Sequence, residues 1–192
     1  TVDIEDDPRF DPEKRLLESR EILTMCSSLI SITNSAAPGD FHSEAVGEQV
    51  RLAHFSVKEY LISERIKTGP ATRYSIQEMR SNVSIAETCL AYLLDWDSIS
   101  SQIPRTFEEF PLLAYAAQYW HRHAREARED NVAVHMLTME LFLPRASPYV
   151  DWIRIFDPDK PWRSPVMPKN WNTNSESVPP PLYYASLAGL AK

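Results

Sequence analysis

A helical rhythm of apolar residues limits what this chain can fold into. Ile85, Cys89, Leu93 and Trp96 fall at i, i+4, i+8 and i+11, which is one face of a helix. Leu112, Tyr115, Ala116, Tyr119 and His123 make a second stripe, widened by Leu113, Ala117, Trp120 and Ala124. An apolar arc that broad has to pack against more than one neighbour. Val132 to Leu143 and Tyr149 to Phe156 add two further amphipathic segments. The chain has 192 residues, 43% hydrophobic and 24% charged, enough for one sizeable core or two small ones. The expectation is a mainly α fold.

One β-hairpin interrupts that pattern. Leu29 to Thr33 is rich in β-formers, and Gln49 to Phe55 reads as the return strand. Between them, Asn34 to Glu48 is polar, with a turn at Pro38-Gly39. Upstream, Asp11-Pro12 signals one helix start and Arg20 to Ser28 a second helix. The order helix, helix, strand, long turn, strand, helix suits a winged-helix unit over residues 1–69, with the long turn as its wing. Thr68-Gly69-Pro70 marks a break. A helical domain is expected over 70–156, with capping-box starts at Ser75-x-x-Glu78 and Ser84-x-x-Glu87 and with Pro111 opening a helix. Seven prolines between Pro158 and Pro181 predict an extended linker over 157–180, anchored by Trp162 and Trp171. A last helix begins at Pro181 and runs to the end, 181–192.

Val50 to Leu61 holds the most specific local pattern. Val50, Leu52 and His54 share one side of a strand. Ser56-x-x-Glu59 then predicts a capping box, and Phe55 with Tyr60 a hydrophobic staple. This places His54 just upstream of a helix N-terminus, whose free amides and dipole suit an anion such as a phosphate.

Several function classes are disfavoured by the residues themselves. A net charge of −7 argues against a nucleic-acid partner. No apolar run reaches the ~20 residues of a membrane span, and the opening Thr1-Val2-Asp3-Ile4 has no signal-peptide pattern. Lacking an initiator Met, the chain reads as a fragment. Cys26 and Cys89 lie inside apolar helical patterns, so an intracellular, cytoplasmic setting without a disulfide framework is expected. Only Gly39, Gly47, Gly69 and Gly189 occur, and none forms a phosphate-cradling loop. His121, His123 and His135 have no metal-ligand spacing, and no metal is expected. Ser56 and Glu59 are explained by capping, and Glu108, Glu109, Asp157 and Asp159 by solvation or capping, so no catalytic residue is expected.

Residues 181–189 resemble the first helix of an ankyrin repeat: Pro181, Leu182, Ala185 and Gly189 match, while Pro180 and Tyr183 replace the usual Thr and His. His54-Phe55-Ser56-Val57-Lys58-Glu59-Tyr60 resembles the winged-helix histidine motif of NACHT-type, NLR-like signalling ATPases. With Ala86 to Leu93, Phe110 to Ala117 and Pro180 to Gly189, the chain looks like the segment between NACHT domain and ankyrin array in fungal NACHT–ankyrin proteins of the STAND class. That resemblance implies that His54 contacts the phosphates of ADP bound by a NACHT domain outside this chain. No cofactor would be bound by this chain alone. The partners implied are the NACHT domain and ankyrin repeats of the same full-length protein.

The function expected on that basis is non-catalytic. The winged helix would hold an ADP-bound ATPase closed, and the helical domain would link it to an ankyrin sensor in signal transduction of the innate-immunity or heterokaryon-incompatibility kind. A plain α-helical protein-interaction scaffold, free of nucleotide, is the second reading, and an unrecognised hydrolase the third.

Overall fold

The structure is a computed structural model that describes residues 2–3, 9–10, 21–36, 46–98, 107, 110–127, 131–143, 147–168 and 178–190. It is mainly helical. The chain divides into two compact units, one of residues 14–78 and one of residues 79–192 with 1–13. The expected helix at Asp11, the turn at Pro38-Gly39, the carboxylates Glu108 and Glu109, and Trp171 lie outside the described residues.

In the smaller unit, α1 (Glu21–Cys26) leads into an antiparallel pair, β3 (Ile30–Ala36) and β4 (Val46–Leu52); β1 (Val2–Asp3) and β2 (Arg9–Phe10) form a short ladder in the larger unit. In the β3–β4 register Ile30 faces Leu52 and Ile32 faces Val50, which puts four apolar side chains on one face. Then come α2 (Phe55–Ile62), α3 (Glu64–Lys67) and a 3₁₀ turn at Thr72–Tyr74. Helix–strand–strand–helix is the order the sequence predicts. Ile66 is nevertheless the one buried hydrophobic residue of this unit among those described, and α2 buries none. Val50, Leu52, Phe55, Tyr60 and Ile62 remain exposed. The expected staple does not form. Phe55 opens α2 and is 68% exposed, its ring against His54 at 4.4 Å instead of against Tyr60.

The larger unit holds the core. Here α4 (Glu78–Ser98) is a single helix, so Ser84 is interior to it and starts nothing; its carbonyl accepts the Thr88 hydroxyl at 2.8 Å. Ala86, Cys89, Leu90, Leu93 and Trp96 form the buried face of α4. They join α5 (Leu113–Glu126), which buries Leu113, Ala116, Ala117, Trp120 and Ala124. α6 (Val132–Leu141) starts at Asn131, whose side chain accepts the Val134 amide at 2.9 Å. α7 (Ser147–Ile155) contributes Tyr149, Trp152 and Ile155. Among the described residues no helix is long and apolar enough to cross a membrane.

The residues expected to begin an ankyrin array fold differently. They form one short helix, α8 (Pro181–Leu187), and Tyr184 on it is 2% exposed in the core of the larger unit. Its ring lies 6.4 Å from Tyr149 and 6.0 Å from Trp152. No ankyrin solenoid is present among the described residues. The apparent signature has a local cause. Pro181 sits at N1, where its missing N–H costs nothing. Gly189 takes φ +70° just past the helix, with Gly189 N–H on Ser186 O and Leu190 N–H on Ala185 O, a Schellman stop. These are the start and stop signals of many short helices. The proline-rich residues before α8 are also folded back: Val166 N–H bonds Ile155 O at 2.9 Å, and the Tyr149 hydroxyl donates to Pro179 O at 2.6 Å.

The two units should respond differently to substitution. Leu113→Ala removes a fully buried side chain and should cost about 2–5 kcal/mol, whereas Val50→Thr on the exposed hairpin face should stay within about 0.5 kcal/mol. Gly189→Ala has room for its Cβ but must hold a positive φ, at about 1–2 kcal/mol. Urea unfolding read by far-UV dichroism would check all three; an equal effect of Leu113→Ala and Val50→Thr would contradict this division of the core.

Candidate functional site

His54 is exposed at the β4–α2 junction and is itself the N-cap of α2, with extended backbone at φ −149° and ψ 147°. Its Nδ1 accepts the Ser56 amide at 3.2 Å and lies 2.8 Å from Ser56 Oγ. Ser56, expected as the cap, is one turn position inside the helix. The imidazole does the work usually given to a Ser or Asp oxygen. Nδ1 is thereby occupied, which puts the ring proton on Nε2 and leaves that nitrogen for any outside group.

The remaining sequence candidates are dispersed. Cys26 and Cys89 are both free thiols, and burial pushes Cys89 up to about 12, so it behaves as a small hydrophobe. No group of three potential metal ligands occurs among the described residues. His123 has an unexpected setting. Its Nδ1 is 2.8 Å from Asn82 Oδ1 on α4, and its Nε2 is 2.8 Å from the Tyr115 hydroxyl. An amide oxygen only accepts, so Nδ1 carries the hydrogen and Nε2 receives the phenol proton. The order hydroxyl, imidazole, orienting amide is that of an activated nucleophile. Its poise is wrong for one. Burial, with Cys89 and Tyr119 adding to it, raises the Tyr115 phenol, and burial and Arg122 lower His123. A firmer phenol beside a weaker base ties α4 to α5 without activating oxygen.

The larger unit does contain a concave site. A cleft of about 370 Å³ opens beside α5. Gln118, Tyr119, His121 and Arg122 line it from α5, on the side away from the buried alanine stripe. Trp152 of α7 and Phe156 just after it, both almost fully buried, back the cleft, Pro158 and Pro161 supply rigid backbone, and Leu187 and Ala188 close it from the end of α8. Each wall is fixed by a named contact. The Trp152 indole N–H donates to Ala117 O at 2.8 Å, which holds the ring against α5. The Tyr184 hydroxyl reaches Asp157 Oδ1 at 3.3 Å and Asp159 Oδ2 at 3.2 Å, and Tyr183 reaches Asp159 Oδ1 at 2.8 Å, which ties α8 to the proline turn. Asp157 is further bonded by Lys160 and by the Asp159 amide. Burial would raise its carboxyl, but these partners outweigh burial and hold it below the usual range.

His121 is part of that lining. Its Nδ1 is buried and has no hydrogen-bond partner among the described residues. Burial first, then Arg125, Arg122 and His123, push the imidazole down to about 4, so it is uncharged near neutrality. Arg122 is exposed at the rim and has no carboxylate within ion-pair distance among the described residues. The arrangement is an apolar floor with a few convergent polar groups, the usual make-up of a small-molecule site. Sequence reasoning weighed His121 only as a metal ligand. The available signal was Arg122 and Arg125 set directly against an aromatic stripe.

The lowered value of His121 has a consequence for stability. The unfolded chain takes up this proton first, so stability is lost as pH falls below about 6.5 and keeps falling towards about 4. His123 acts in the same direction. Melting temperatures between pH 7 and pH 4 should drop less steeply in His121→Gln than in the unaltered chain. Superimposable profiles would show that the ring protonates freely in the folded state.

Comparison with known proteins revises the family expected from the sequence. No family model and no solved structure matches the chain. The azaphilone pigments biosynthesis cluster protein L of Monascus ruber is 36% identical over 195 residues, covering 98% of this chain and 39% of that protein. The chain thus spans well under two thirds of the length of the curated relative it matches. This match overturns the resemblance to NACHT–ankyrin proteins, and with it the STAND-type signalling role and the connector between ATPase and ankyrin sensor. The plain scaffold reading gains no support from it either. The motifs behind that resemblance are a capped helix start at His54 and a helix with Pro at N1 and Gly past its end, features shared by unrelated folds. The ADP role of His54 entered only with that resemblance.

Proposed function

We propose that this chain is a small-molecule-binding helical segment of a protein that serves a pigment-type biosynthetic cluster, and that it holds its ligand without transforming it. The observation that carries this reading is the cleft beside α5, where Gln118, Tyr119, His121 and Arg122 line one opening with Pro158, Pro161 and Leu187. The accessible apolar surface of Pro158, Pro161 and Leu187 suits a flat conjugated molecule, the general chemistry of a pigment or its precursor. The similarity to a pigment cluster protein of Monascus ruber supports the biosynthetic setting.

A binding role, not a catalytic one, is supported by the poise of the reactive groups. The Tyr115–His123–Asn82 chain holds its phenol protonated, and Cys89 is a buried neutral thiol. The free cysteines Cys26 and Cys89 support an intracellular location, and the net charge of −7 supports a partner other than nucleic acid.

Naphthalene-2-carboxamide, flat and uncharged, is a suitable probe. Titrated into the ¹⁵N-labelled chain, it should shift the amide signals of Gln118, Tyr119 and Leu187 and the indole signal of Trp152. Ala188→Trp should abolish binding by filling the cleft. Shifts confined to other residues, or unaltered binding in Ala188→Trp, would refute a site at this cleft.

A further inference from the structure

The polar groups around the cleft are unevenly neutralised. Asp157 and Asp159 flank its proline wall, yet both are satisfied: Asp157 by Lys160, the Asp159 amide and Tyr184, Asp159 by Tyr183 and Tyr184. Neither carboxylate is within ion-pair distance of Arg122. On α5, His123 is held neutral between Tyr115 and Asn82, and Arg125 approaches only the exposed Glu126, at 3.7 Å. Arg122 is therefore the cation of the cleft lining that no protein carboxylate answers among the described residues. A guanidinium at the mouth of a low-dielectric cleft offers a planar fork of donors matched to an oxyanion. Its attraction is stronger beside apolar walls than in open water.

We propose that the cleft selects planar apolar ligands carrying one acidic oxygen group, a carboxylate or an ionised enol or phenol, which Arg122 takes at the rim while the ring system lies against Pro158, Pro161 and Leu187. This rests on the reading of the cleft as a ligand site and adds the ligand's chemical class. The neutral state of His121 fits it: two nearby guanidinium groups disfavour a third positive charge there and favour an incoming negative one. Arg122 is a selecting residue in this scheme, since the apolar walls supply affinity that any flat ring can use.

The test compares naphthalene-2-carboxylate with naphthalene-2-carboxamide by isothermal titration at pH 7 on the 192-residue chain. The two probes share ring and size and differ in charge. The carboxylate is expected to bind several-fold more tightly to the unaltered chain, as suits a charge-assisted bond made at a solvent-exposed rim. In Arg122→Gln the two affinities should come within about twofold. Arg122 is exposed, and unchanged dichroism would confirm that the variant folds. Ala188→Trp should eliminate both. Equal affinities in the unaltered chain, or a preference that survives Arg122→Gln undiminished, would overturn selection of an acidic oxygen by Arg122 while leaving the cleft a binding site. Failure of both probes to bind, or binding that persists in Ala188→Trp, would overturn the ligand site as well.

Discussion

Trp152 couples three helices at once. Its indole N–H closes on the Ala117 carbonyl of α5, its ring meets Trp120 of the same helix at 5.3 Å, and it meets Tyr184 of α8 at 6.0 Å. An unpaired buried indole N–H would cost about 1–3 kcal/mol, so this bond sets how α7 lies on α5. The angle decides whether Phe156, Pro158 and Pro161 reach the α5 side chains at all. Aromatic contacts among Trp120, Phe142, Tyr149, Trp152 and Tyr184 then make the packing directional. The cleft is what that packing leaves open beside α5.

Much of the fold was legible because burial follows period. The stripes through Ile85 to Trp96 and Leu112 to Ala124 predict α4 and α5, and the paired β-formers predict the hairpin. What resisted was tertiary. Ser84-x-x-Glu87 has the spacing of a helix start, but the apolar stripe running through it keeps α4 continuous. Ser56-x-x-Glu59 likewise suggested a cap, while the extended backbone of His54 let its ring reach the Ser56 amide first. Proline density argued for a spacer over 157–180. The Tyr183 and Tyr184 hydroxyls instead draw the first part of it back onto Asp157 and Asp159, pairs more than twenty residues apart that no local rule connects. His121 was visible as a residue but not as a site, because the cleft it lines is assembled from α5, the end of α7 and the end of α8.

In the larger unit, burial keeps Cys89, Tyr115 and His121 uncharged near neutrality. Uncharged groups in an apolar setting are good hydrogen-bond partners and poor nucleophiles. The smaller unit offers a contrast. With Ile66 as its one buried apolar residue among those described, it shows little packing around its described side chains, and His54 is occupied in starting a helix.

A crystal structure of the chain soaked with naphthalene-2-carboxylate bears most directly on the cleft as the functional centre. The ring should lie against Pro158, Pro161 and Leu187 with its carboxylate at Arg122. Density for the ring against the exposed apolar face of Val50, Leu52 and Phe55, with the cleft beside α5 unchanged, would contradict it.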